Sequence, residues 1–132
     1  MSHRRTCDVL IVGAGSAGSA VAARLAAAGR DVILTDQRHR RDAGVGWINA
    51  IPAWCFDEAG LARPEPPEAT RPAGRHTAIL KNAEGTTRIA IPADPGVMTD
   101  MSLLTARLQS QALDHGARLL HGRVVALSLI HI

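Results

Sequence analysis

Aromatic residues are nearly missing from this chain: two Trp, one Phe and no Tyr among 132 residues. A core without rings has to be filled by Ala, Leu, Ile and Val, and a 46% hydrophobic composition is enough to build one. Cysteine is scarce as well. Cys7 and Cys55 lie far apart, with no CxxC pair and no Cys/His cluster at zinc spacing, which argues against a disulfide scaffold and a structural metal. Long apolar runs are absent too. The run that opens at Val9 is broken at Gly13, so neither a signal peptide nor a membrane span of roughly 18 apolar residues is expected. Lys81 is the single lysine, so fourteen of the fifteen basic residues are Arg, and the formal charge is +3. Apart from RHRR at Arg38 to Arg41 these arginines are scattered, and no basic stripe interleaved with aromatics points to nucleic acid. The composition predicts one domain, or a piece of a larger one, in a reducing compartment such as the cytoplasm. Peripheral membrane contact stays open.

What is present is concentrated near the start. CDVLIV at 7–12 is a short apolar run rich in β-branched residues, as in a buried parallel strand. SAGSAVAARLAAAG predicts a helix from Ser16 to about Ala28, with Gly29 as its C-terminal cap. DVILTD, ending at Asp36, predicts a second strand and completes a strand–helix–strand unit. The pattern then changes. QRHRRDAGVG is loop-like, and a short helix is expected from about Pro52 to Ala59, closed by Gly60. ARPEPPEATRPAGR carries four of the seven prolines and predicts an extended surface loop. HTAIL and TTRIAI, separated by KNAEG, predict an antiparallel hairpin. Leu104, Leu108 and Ala112 recur at helical spacing within Asp100 to His115, Gly116 ends that helix, and ARLLHGRVVAL predicts strand, turn and strand.

The chemistry sits in VGAGSAG. Gly13 lets the strand turn into the helix, Gly15 lets the backbone approach a pyrophosphate, and Gly18 lets helix and strand pack closely. The helix start, with Ser16 and Ala17, turns unpaired N–H groups and a partial positive charge toward the phosphates. Asp36, eighteen residues beyond Gly18, is placed to accept hydrogen bonds from an adenosine ribose, and Gln37 follows it. The charge of Asp36 repels a 2′-phosphate and disfavours NADP here, although Arg38, Arg40 or Arg41 could accommodate one. A solvated loop is the plainer reading of those arginines.

The order of elements separates the dinucleotides. A plain NAD domain usually continues with another helix and a third parallel strand, whereas here about sixty residues intervene, counted against that layout. The chain resembles the N-terminal part of FAD-dependent oxidoreductases, in the group of geranylgeranyl reductases, flavin-dependent halogenases and aromatic hydroxylases. The resemblance rests on DVLIVGAGSAGSAVAARLAAAGRDVILTD, on RRDAGVG, and on LLTARLQSQALDHGARLLHGRVVAL. It implies Gly13, Gly15 and Gly18 at the pyrophosphate, Asp36 at the adenosine ribose, Arg41 near the phosphates or ribitol, and Val124 offering backbone bonds to the adenine. The departures are a glycine, Gly44, where reductases of the group often carry Cys, Met101 where many relatives have Arg, and no C-terminal Gly-Asp segment.

The implied architecture is α/β: a Rossmann-type FAD-binding domain with a parallel sheet, interrupted by an antiparallel hairpin from a partial substrate domain. Residues 1–50 form its first part, 51–98 the insertion, 99–126 the continuation, and 127–132 a candidate non-native tail. That tail, LSLIHI, matches one reading frame of a transposase adapter, and the other reading is a strand running on; a truncated chain is expected. Trp47 and Trp54 are expected in the core, with stacking on a ligand as the other reading, and Cys55 as a small buried hydrophobe. Asp57 and Glu58, adjacent on a helix, diverge and make a poor acid–base pair. His115 and His121 are expected to face solvent. No catalytic residue is visible, and the flavin carries most of the chemistry in this group. The function expected is that of an FAD-binding segment of an oxidoreductase with NAD(P)H as co-substrate and an apolar or aromatic small-molecule substrate. The alternatives are an NAD(H)-dependent dehydrogenase and a nucleotide-binding fragment without activity. The chain alone is expected to hold FAD weakly or not at all.

Overall fold

The computed structural model describes residues 4–72, 76–91 and 96–126, and the tail at 127–132 lies outside them. The chain divides into two compact units, residues 1–46 with 101–132, and residues 47–100.

The first unit is built on a parallel sheet. Strand β1 (Val9–Val12), helix α1 (Ser16–Ala27) and strand β2 (Val32–Asp36) follow the order read from the sequence. Helix α3 (Met101–Asp114) and strand β8 (Arg118–His121) add a third parallel strand, in the order β1-β2-β8. All five residues of β2 are buried, as suits a central strand covered on both faces. Val32 and Leu34 meet Ala14, Ala22, Ala23, Ala26, Ala43, Ala112 and Ala117 in one core cluster. Those alanines replace the missing rings: small side chains let helices and sheet approach closely, so the layer is thin but dense. Helix α1 ends with Gly29 N–H on Ala26 O (2.9 Å) and Arg30 N–H on Leu25 O (3.0 Å), and α3 ends the same way at Gly116 and Ala117.

Helix α3 buries Met101, Leu104, Thr105, Leu108, Gln109 and Ala112, the i, i+3, i+4, i+7 stripe of an amphipathic helix. Two members of that stripe are polar, and both face the site described below. The expected second strand after β8 is not formed. Gly122 N–H still bonds to Asp36 O (2.8 Å), but β2 ends there, so 123–126 have no strand to pair with.

In the second unit, β3 (Ile48–Ile51) and β4 (Ala69–Pro72) both pair antiparallel with β7 (Val97–Asp100), in the order β3-β7-β4. The Pro-rich segment is therefore not all loop. Pro72 closes edge strand β4, where a missing N–H is tolerated, and the register slips between Ala69 and Arg71. The expected hairpin is present as β5 (His76–Asn82) and β6 (Gly85–Ile91), with a tighter turn than KNAEG suggested because Asn82 pairs with Gly85. Helix α2 (Ala53–Glu58) buries Ala53 and Phe56. Trp54 falls on its other side and is 53% exposed, and Trp47, just before β3, is 62% exposed. The two tryptophans are thus not core residues, and Cys55 is only half-buried.

Candidate functional site

The first unit gathers its polar groups where β1, β2 and β8 end. Gly13 leaves β1 with φ +104, a conformation L side chains rarely adopt, while its N–H still bonds to Thr35 O (2.7 Å). A Cβ on Gly18 would overlap the Gly13 carbonyl and crowd Ile11 Cγ2 at 3.3 Å, so helix and strand touch through a glycine, as read from the sequence. Gly15 has a different neighbour from the one expected. A Cβ there would meet Gly44 Cα at 3.4 Å, so the loop after β2 folds onto the glycine loop backbone to backbone. Gly44 is itself at φ +87, and a Cβ on it would meet Thr105 Oγ1 at 3.0 Å. A side chain at Gly44 would be both strained in backbone and crowded by Thr105.

Gly15 is the N-cap of α1, no side chain caps that end, and the first turn holds no acidic residue. Ser19 N–H on Gly15 O (2.9 Å) is the first intrahelical bond, which turns the N–H groups of Ser16, Ala17 and Gly18 toward the helix end. The partial positive charge there has no counterpart on the helix itself.

Asp36 sits beside it, buried. Its Oδ2 accepts Ala14 N–H (2.8 Å) and its Oδ1 accepts Arg38 N–H (2.8 Å). Burial pushes this carboxyl up, but those two backbone bonds and the Arg38 charge outweigh it, and its pKa falls below the usual 3.8. The Arg38 guanidinium lies 3.7 Å from Oδ1 and donates to Gly44 O (3.0 Å), so it closes the loop over the carboxylate.

A cavity of about 290 Å³ opens at this point. Its lining comes from three strand ends: Val12 and Gly13; Asp36, Gln37 and Arg38; Gly122, Arg123 and Val124. Of the residues picked out from the sequence, Gly13, Asp36, Gln37 and Val124 thus share one cavity. Gly15, Ser16, Ala17 and Gly18 form the adjoining helix start. Arg41 is not brought to that cavity. It belongs to a 3-10 turn, Arg40–Asp42, and lines a second cavity of about 820 Å³ with His39, Arg40, Asp42, Ala106 and Gln109.

Several residues were missed from the sequence. His121 is exposed, yet its ring stacks on His39 with centroids 4.1 Å apart and planes at 20°. Its Nε2 lies 3.0 Å from Gln37 O, a bond made when that nitrogen carries the proton. The pair ties the loop after β2 to the end of β8. Gln109, buried, reaches Ala14 O at 2.7 Å. The signal for it was faint: Gln109 follows Leu108 and so shares the buried stripe, but a polar residue there reads as noise. Thr105 Oγ1 is buried without a hydrogen-bond partner among the described residues. In that same set, no group of three or more His, Cys, Asp or Glu could hold a metal ion.

Known proteins fall into two kinds of match. The family model for ketopantoate reductase PanE/ApbA matches residues 9–45, the strand–helix–strand unit and the loop beyond it. A search of curated proteins finds no match. Among solved structures, the flavin-dependent brominase Bmp2 is similar with TM-score 0.69 at 20% identity, over 94% of this chain and 31% of its own. Halogenase PltM in complex with phloroglucinol and FAD gives TM-score 0.65 at 18% identity, over 96% of this chain and 30% of its own. A geranylgeranyl bacteriochlorophyll reductase-like protein from Thermoplasma acidophilum gives TM-score 0.65 at 19% identity, over 87% and 30%. The chain therefore spans about 30% of the length of these structures. It has the α/β fold, parallel sheet with antiparallel interruption, that they share over that part.

Proposed function

We propose that the first unit holds the ADP half of FAD, as part of a flavin-dependent oxidoreductase. One observation carries this reading: Asp36 and the Gly122–Val124 segment line one cavity with Gly13, the residue that leads into the uncapped N-terminus of α1. The N–H groups of Ser16, Ala17 and Gly18 would bind the pyrophosphate, Asp36 and Gln37 the ribose, and Val124 the adenine. The donor set fits. A small-residue cradle lets phosphate approach the backbone, and an ionised carboxylate faces a diol. Arg41 would reach the phosphates or ribitol only if its loop supplies that contact from the neighbouring cavity. Bound FAD supplies hydride chemistry, taking two electrons from NAD(P)H and delivering them to an apolar or aromatic substrate or to dioxygen. The chain's own contribution is to anchor the cofactor and fix its direction, in a cytoplasmic enzyme with residues 51–98 belonging to the substrate side. Among the described residues, no helix is long and apolar enough to cross a membrane.

The similarity to flavin-dependent enzymes over about nine-tenths of this chain supports the flavin reading. The reductase family model over residues 9–45 supports a second one, an NAD(H)-dependent dehydrogenase using the same loop. Purification of the protein expressed from its native genomic reading frame separates them. Yellow protein that releases FAD on denaturation is the expected result. Colourless protein that binds NADH overturns it in favour of the dehydrogenase.

A further inference from the structure

The geometry points to Gln109 as a positioning residue for the glycine loop, one that aims the Gly15 N–H at the pyrophosphate; this rests on the dinucleotide reading above. Gln109 is 1% exposed, in the middle of α3. Its Nε2 donates to Ala14 O (2.7 Å) and to Arg40 O (3.2 Å), and its Oε1 accepts Arg40 Nε–H (3.3 Å). Arg40 also donates to Ser110 Oγ (2.7 Å), so one amide ties α3 to the glycine loop and to the turn after β2.

Ala14 is held from both sides. Its carbonyl accepts Ser19 Oγ–H (3.1 Å) as well as Gln109, and its N–H goes to Asp36. A trans peptide is planar, with C=O and the next N–H pointing opposite ways. Drawing Ala14 O inward toward Gln109 and Ser19 therefore turns the Gly15 N–H outward. If the peptide flipped, a carbonyl would face the phosphates and repel them. The amide is suited to this because it is neutral and donates. A carboxylate in its place would set negative charge against the Ala14 carbonyl oxygen.

Gln109→Glu exploits that difference. The charged and titratable groups around this position are His39, Arg40, Arg41 and Asp42 from the turn after β2, with Asp36 reached through Ala14. Affinities are compared with the wild-type chain at each pH. ADP-ribose is the probe, since its pyrophosphate diester keeps one charge state there. At about pH 8, Gln109→Glu should bind ADP-ribose roughly tenfold more weakly than wild type. At about pH 5, where burial favours the protonated acid and its O–H can donate to Ala14 O, the gap should close to roughly threefold. Gln109→Met should be weakened equally at both. Ser19→Ala, which removes the other side-chain donor with little change in volume, should cost roughly threefold to tenfold and keeps the test valid if Gln109 variants unfold.

In the ligand-free chain, the Ala14 carbonyl 13C shift should move in all three variants and return at low pH only in Gln109→Glu. Variants that bind as wild type, or an unmoved Ala14 shift, overturn the role of Gln109. Moved shifts with no ADP-ribose binding by the wild-type chain overturn the dinucleotide reading instead, and the aim of the Gly15 N–H with it.

Discussion

At the residue scale, Asp36 is the residue on which the proposed choice of nucleotide rests. Its carboxyl is held below the usual carboxylate value because Ala14 and Arg38 donate to it against the effect of burial, and the Arg38 guanidinium also donates to Gly44 O. A 2′-phosphate would meet a negative charge with its neighbouring arginine already committed. The sign of the pH effect follows. A folded pKa below the unfolded value of 3.8 stabilises the fold above that value, and the contribution is lost as pH falls through the folded pKa. Asp36→Asn should therefore be less stable than wild type at neutral pH, and the two should converge as pH falls below about 4. Chemical denaturation across that range measures it; a constant gap down to strong acid would count against the ionised, hydrogen-bonded carboxylate. The glycines and Asp36 were legible in the sequence because each has a spacing signature. Gly44, Thr105 and Gln109 were not, because they meet the glycine loop only through tertiary contact, with 105 and 109 lying more than 90 residues or so beyond Ala14, as the long-range bond to Gln109 shows.

At the scale of elements, α3 does two jobs with one stripe. Leu104, Leu108 and Ala112 pack, while Thr105 and Gln109 on the same face serve the loops. Leu108 is almost wholly buried (1% exposed). Leu108→Ala should cost about 2–5 kcal/mol, toward the upper end if the alanine-rich layer cannot collapse into the space. Urea denaturation reads this directly, and a cost below about 1 kcal/mol would mean α3 is not the packed support described here. Helix α3 was readable because it buries one continuous face, and the first two strands because each is a short apolar run beside a glycine-bounded helix. β3, β4 and β7 were not, being four-residue strands defined by who pairs with whom. Proline at the end of β4 pointed the other way, toward loop. The two tryptophans misled for a related reason: scarcity suggested that they were core, yet a short helix and an edge strand leave them half open or more.

At the scale of the whole molecule, the two units divide the work of the account unequally. The glycine loop, Asp36 and the Gly122–Val124 segment, the groups proposed for the ADP half, all lie in residues 1–46 and 101–126. Residues 47–100 expose Trp47, Ile48, Trp54, Ile79, Leu80 and Ile89, and the first unit exposes Leu10, Val12, Val21, Leu103 and Val125. The chain spans about 30% of the length of the structures it resembles. ADP-ribose, rather than FAD, is thus the ligand that interrogates what this chain contains. The most direct measurement is a titration of the uniformly 15N-labelled chain with ADP-ribose, followed by amide shifts. Saturable changes should appear at Gly13, Gly15, Ser16, Ala17 and Gly18, at Gln37 and Arg38, and at Val124, while β3 and β7 stay unmoved. No saturable change, or changes confined to residues 47–100, would contradict the dinucleotide site.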